Sequence, residues 1–115
     1  MKKKYSLNEI KNGAGISFYK HAKEIIPGGT QLLSKRPEMF APDVWPSYYS
    51  RAKGSKVWDM DNRKYLDMSI MGVGACVLGY ADAEVDEAVH KAIKLGVSSS
   101  LNCPEEVYLT EIMLE

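Results

Sequence analysis

The chain is predicted to be of the α+β class, a small antiparallel three-stranded meander accompanied by helices. Three observations predict it. Between residues 48 and 68, short aromatic and β-branched runs alternate with turns made of Gly, Asn and Asp. After residue 82, apolar side chains recur at helical spacing. The composition is that of an ordinary globular domain, 115 residues with 45% hydrophobic and 26% charged, which leaves out disordered, collagen-like and disulfide-scaffold proteins.

Residues 1–16 read as a loose polar lead containing Gly13 and Gly15, with Ser6 and Glu9 offering a weak cap for a short turn. From Ser17 a helical pattern places Phe18, Ala22, Ile25 and Ile26 on one side, and Pro27-Gly28-Gly29 breaks it. Residues 30–47 contain Pro37, Pro42 and Pro46 without periodicity. Long irregular segments of this kind are usually functional or wrapped over a partner surface. Strands are expected at 48–52, 56–59 and 64–68, with Trp58 and Tyr65 inside the meander. The glycine-rich stretch Gly72–Gly79 comes next. A helix over 83–95 then has Asp82 as its N-cap, an apolar stripe of Val85, Ala88, Val89, Ala92 and Ile93 to face an apolar surface, and Gly96 as its stop. A last helix over 104–115 is opened by Asn102, Pro104 and Glu105 in a capping-box pattern. It carries no stop signal, so these residues are expected to be the front of a longer protein.

Charge and cysteine usage exclude several functions. Fifteen Lys and Arg balance fifteen Asp and Glu, so no nucleic-acid partner is expected. Cys76 and Cys103 are too few for a metal cage or a disulfide framework and suit a reducing, cytoplasmic setting. No apolar run is long enough for a membrane helix, and the basic start lacks the apolar core of a secretory signal. His21, His90, Cys76 and Cys103 are scattered, without ligand spacing, and no metal site is expected. The pattern Gly72-x-Gly74-x-x-x-x-Gly79 is neither a dinucleotide fingerprint nor a P-loop. Its small residues suit a close approach of backbone to another surface or a ligand. Local pattern alone yields no catalytic constellation.

The order of segments is more informative. Ile26-Pro27-Gly28-Gly29, Arg51-Ala52-Lys53-Gly54, the hairpin from Val57-Trp58-Asp59-Met60-Asp61 to Tyr65-Leu66-Asp67, Leu78-Gly79-Tyr80-Ala81-Asp82 and Glu84-Val85-Asp86-Glu87-Ala88-Val89 follow one another at characteristic spacings. Over residues 18–115 the chain resembles the class III pyridoxal-phosphate-dependent aminotransferases, in the branch of glutamate-1-semialdehyde 2,1-aminomutase. The resemblance implies the N-terminal part of a fold-type I α/β enzyme, divided here into three pieces. Residues 1–47 would be an arm covering the active site, 48–101 the small-domain meander with its glycine-rich connection and helix, and 102–115 the start of a helix leading into the large domain. It also implies a homodimer, a small carboxylated amino or keto substrate, and pyridoxal 5'-phosphate as cofactor. In the family the Schiff-base lysine, the partner of the pyridine nitrogen and the phosphate loop lie downstream. No catalytic or certain cofactor-binding residue is therefore assigned here, and the 115 residues alone are predicted to be inactive.

By the same resemblance, Ser34 and Arg36 are candidate contacts to the substrate carboxylate, which a guanidinium can bind bidentately. Val73 stands where the aminomutases carry a tryptophan near the cofactor, which would enlarge the pocket. A related aminotransferase acting on another amino or keto substrate, including a sugar-linked one, is the alternative. From other classes come a stand-alone α+β interaction domain and a truncated, non-catalytic relic. As the front of an enzyme, the chain is expected to expose more apolar surface than a finished domain, with 30–47 lacking a body to lie against.

Overall fold

The computed structural model describes residues 5–115. They form two compact units, one ending at Asp82 and the other running from Ala83 to Glu115.

The first unit opens with two helices, α1 (Leu7–Lys11) and α2 (Ala14–Ile25). From Leu7 onward the polar lead is therefore not loose, while its first four residues lie outside the described ones. Ser6 and Glu9 close a full capping box: Glu9 N–H donates to Ser6 Oγ at 3.2 Å, and Ser6 N–H to Glu9 Oε2 at 2.7 Å. Helix α2 starts three residues before the apolar pattern does. Gly13 at its N-cap has no side chain to cap it, but the Asp61 carboxylate, 47 residues downstream, accepts from Ala14 N–H at 2.9 Å. A long-range acceptor thus replaces the local cap.

The meander comprises β1 (Tyr49–Lys53), β2 (Lys56–Asp59) and β3 (Lys64–Leu66), antiparallel in the order β1-β2-β3. Tyr49 pairs with Asp59 and Arg51 with Trp58, leaving Ser50 as a bulge, and Val57 pairs with Tyr65. The Ser50 hydroxyl turns back onto the Asp59 carbonyl at 2.8 Å. On the same strand pair, the Arg51 guanidinium lies 3.9 Å from the centre of the Trp58 ring.

The β2–β3 turn is built on Asp59, the one buried charged side chain among the described residues. Its carboxylate accepts from the Asp61 and Arg63 N–H groups, from Arg63 Nη1 at 3.3 Å and from the Tyr65 hydroxyl at 3.0 Å. The Arg63 Nη2 atom reaches Asp61 at 3.1 Å and the Glu9 carbonyl at 2.7 Å. These bonds explain the D-x-D-x-R-x-Y spacing: Asp59 gathers Arg63 and Tyr65 within the hairpin, while Asp61 and Arg63 tie it to the N-terminal helices. A Cβ on Gly13 would lie 2.7 Å from both Arg63 Nη1 and Asp61 Oδ2, so the joint needs a glycine there.

The glycine-rich stretch brings backbone onto backbone. Gly54, in the β1–β2 turn, exchanges two hydrogen bonds with Tyr80, at 2.7 and 2.9 Å, and a Cβ on Gly79 would sit 3.0 Å from Gly54 Cα. The Tyr80 hydroxyl donates to Asp67 at 2.7 Å.

Residues 30–47 are irregular, with single 3-10 turns at Leu33–Lys35 and Pro37–Met39. The expectation that they lack a body is corrected, because they fold back on α2. Pro37 is buried, Tyr19 bonds Glu38, and Phe40 stacks on Trp45 with ring centres 4.3 Å apart.

The second unit holds α3 (Ala83–Leu95) and α4 (Glu105–Leu114). Gly96 ends α3 in the left-handed conformation, with its N–H on the Ile93 carbonyl. Asn102 does not cap α4: Pro104 occupies the N-cap position without a side-chain bond. The stripe of α3 is only partly covered, with Val85, Val89 and Ile93 about half exposed. Helix α4 carries Val107, Leu109, Ile112 and Leu114 on several sides, all exposed, although an all-round apolar helix normally lies in an interior. Among the described residues the buried apolar core is limited to Ile16, Tyr19 and Ala22 of α2. None of the described helices is long and apolar enough to cross a membrane.

Candidate functional site

The cleft with the most chemistry forms where α2 ends. After Ile26, Gly28 and Gly29 adopt successive left-handed conformations, φ +78° and +75°, which few side chains tolerate. This double turn sends the chain back along α2, so that residues 36–39 face Tyr19 and Lys23. Both glycines are also required by their neighbours. The Arg36 guanidinium occupies the position that a Gly28 Cβ would need, while a Gly29 Cβ would come within 2.7 Å of Lys23 Cγ and 3.0 Å of Tyr19 Cε2.

The resulting cleft has a volume of about 430 Å³. Tyr19 and Lys23 form one wall and Arg36, Glu38 and Met39 the other, over a floor of Gly28 and Gly29. The Tyr19 hydroxyl donates to Glu38 Oε2 at 2.8 Å, and Lys23 Nζ lies 3.6 Å from Glu38 Oε1. The Lys23 ammonium also stands 5.1 Å from the Tyr19 ring centre. Burial, followed by the Glu38 bond, pushes the Tyr19 phenol upward. Glu38 is held below its ordinary value, first by its own backbone N–H and then by Tyr19. Arg36 is half-buried, and its Nε is buried without a hydrogen-bond partner among the described residues. Arg36 lines the open cleft, and no carboxylate pairs with it among the described residues, so its cationic charge is available to an anion entering there.

Of the three site residues expected from the sequence, Ser34, Arg36 and Val73, only Arg36 lines this cleft. Ser34 is exposed in the 3-10 turn Leu33–Lys35, its side chain outside the lining. Val73 is 67% exposed on the glycine-rich turn, at φ +61°, an unusual conformation for a β-branched residue. Tyr19, Lys23 and Glu38 were not marked by sequence reasoning. Their available signals were the i, i+4 spacing of Tyr19 and Lys23, which places both on one face of α2, and the position of Glu38 two residues beyond Arg36.

No protein-family model matches the chain. Among curated proteins it is 33% identical over 86 residues to 3-aminobutyryl-CoA aminotransferase of Cloacimonas acidaminovorans, covering 75% of this chain and 20% of that protein. It is 38% identical over 95 residues to glutamate-1-semialdehyde 2,1-aminomutase of Methylacidiphilum infernorum, covering 83% and 21%. The solved structure of the pyridoxal-phosphate internal aldimine form of the FumI protein of Sphingopyxis sp. MTA144 superposes with a TM-score of 0.73. The identity there is 27%, over 84% of this chain and 23% of that one. The chain thus spans about a fifth of the length of these curated relatives and has the fold of part of a fold-type I enzyme.

A pyridoxal-phosphate site needs a desolvated lysine amine beside a phosphate cradle. Every lysine from Lys11 onward is exposed, and the one in the cleft wall, Lys23, is paired with Glu38. The described residues do not by themselves make a site for the cofactor.

Proposed function

From a chain homologous to class III pyridoxal-phosphate-dependent aminotransferases and aminomutases, we propose the N-terminal portion of an enzyme resembling glutamate-1-semialdehyde 2,1-aminomutase. The parent enzyme moves an amino group through a pyridoxamine/pyridoxal cycle. The cofactor supplies the electron sink when bound, and the Schiff-base lysine belongs to the downstream region. Residues 1–47 serve as the active-site arm, 48–101 as the small-domain meander, and 102–115 as the entry to the large domain. These residues contribute substrate recognition: Arg36 anchors a small carboxylated amino or keto substrate, Ser34 assists from the same loop, and Val73 borders the substrate pocket. The half-buried Arg36, lining the cleft with no carboxylate paired to it among the described residues, is the observation that carries this reading.

The half-exposed stripe of α3, the exposed apolar sides of α4, and the exposed Tyr49 and Leu66 of the meander with Met68 just beyond it support a cover formed by the large domain and the second subunit of a homodimer. Two free cysteines support a cytoplasmic setting. A second reading, a related aminotransferase with a larger substrate, is favoured by the valine at position 73, whose small side chain leaves room where the aminomutases carry an indole.

The test uses the intact natural polypeptide. Arg36→Ala is expected to raise KM for carboxylated substrates by at least about tenfold, while the visible absorbance of bound cofactor is retained. Unchanged kinetics with every carboxylate would remove Arg36 from the site. Failure of the intact polypeptide to bind pyridoxal phosphate would remove the enzyme reading itself.

A further inference from the structure

Glu38 lies two residues from Arg36 and lines the same cleft. A carboxylate so placed would ordinarily pair with the guanidinium, since a charge-assisted Arg–carboxylate bond is among the stronger polar contacts. It does not. One Glu38 oxygen takes the Tyr19 hydroxyl at 2.8 Å and the other faces Lys23 at 3.6 Å. Arg36 keeps its buried Nε unmatched among the described residues, with the rest of its guanidinium seated on Gly28. Tyr19 is 7% exposed on the buried side of α2, so its hydroxyl has a fixed direction. The Lys23 ammonium, above the same ring, shares the other oxygen.

We propose that Tyr19, with Lys23, holds the Glu38 carboxylate off Arg36, so that the cleft contains a cation open to an incoming carboxylate rather than an internal ion pair. Tyr19 is then a positioning residue and Glu38 a restrained internal competitor. The cleft, about 430 Å³ in volume, admits a small carboxylate, with Met39 beside its carbon chain. This proposal rests on the reading of Arg36 as the carboxylate anchor.

The experiment titrates the intact natural polypeptide with glutarate, using glutaramide as the neutral control, by calorimetry and by the Arg36 Nε–H signal in NMR. Tyr19→Phe, which frees Glu38, is expected to weaken glutarate binding roughly two- to tenfold. That penalty is expected to vanish when Glu38→Gln is added, because an amide does not compete for the guanidinium. A Tyr19 penalty that persists beside Glu38→Gln would mean that the phenol acts by packing, and would overturn the proposal while the Arg36 reading stands. Should Tyr19→Phe fail to fold, Glu38→Gln alone still decides. With the competitor already restrained, it should tighten glutarate by less than about twofold, and tightening of tenfold or more would overturn the proposal. If Arg36→Ala leaves glutarate binding unchanged, both the anchor and its brace are lost.

Discussion

Two arginines of the same compact unit are held in opposite ways. Arg63, in the β2–β3 turn, spends its guanidinium on Asp59, Asp61 and the Glu9 carbonyl. Arg36, beside the Gly28–Gly29 turn, is half-buried yet has an unmatched Nε among the described residues, and its nearest carboxylate in sequence, Glu38, is engaged by Tyr19 and Lys23. The first arrangement is a joint: every charge is answered from within the chain, so its worth is read in folding. The second costs stability unless something from outside answers it. Satisfaction of the charge, more than its burial, separates a structural arginine from a binding one.

The comparison is broken most severely at the joint. Arg63→Met leaves Asp59 buried without its cation and should cost about 3–5 kcal/mol, measured by urea unfolding followed through Trp58 fluorescence. A loss below about 1 kcal/mol would mean that the turn is held by its backbone bonds alone. Gly13→Ala pushes a methyl group into the same joint and should cost about 1–3 kcal/mol by overcrowding, checked by the shift in urea midpoint. Arg36→Met is the sharpest contrast. Removing an unanswered charge should leave stability unchanged or raise it by about 1 kcal/mol, so a loss matching that of Arg63→Met would erase the distinction.

The smallest expected effect is alkaline. Burial first, then the bond to Asp59, pushes Tyr65 up to about 12, and burial with the Asp67 bond does the same for Tyr80. The ordinary phenol value is 10.0. Because the folded values are raised, both groups contribute their full stabilisation below pH about 10, and it is lost as pH climbs toward about 12. Phenolate absorbance and circular dichroism followed together over that window should show the meander loosening as these tyrosines ionise. Tyr65→Phe should reduce the pH dependence.

How much of this was legible varies by element. The meander could be read because its turns need particular residues: Gly54 and Asn62 both take positive φ, and the paired runs between them are too short for helices. Gly96 marked the end of α3 for the same reason. The start of α2 could not be read, since its acceptor, Asp61, lies 47 residues away in sequence. The α3 stripe was visible, but not whether anything covers it, because amphipathicity states a need for cover without naming the cover. In the cleft, the double glycine stood out as a helix breaker and Arg36 through the family resemblance, while Tyr19, Lys23 and Glu38 did not stand out.

The sequence by itself determined the three strands, the α3 helix, the helix break at Pro27-Gly28-Gly29 and the presence of an arginine beyond it. Local backbone preferences and side-chain periodicity act over a few residues, so they are written in a few residues. Only the tertiary structure decided that Asp61 caps α2, that Arg63 is fully answered, and that Glu38 turns to Tyr19 rather than to Arg36. Each of these is a choice of partner among groups of similar chemistry, and the choice is set by which of them the folded backbone brings within hydrogen-bonding distance.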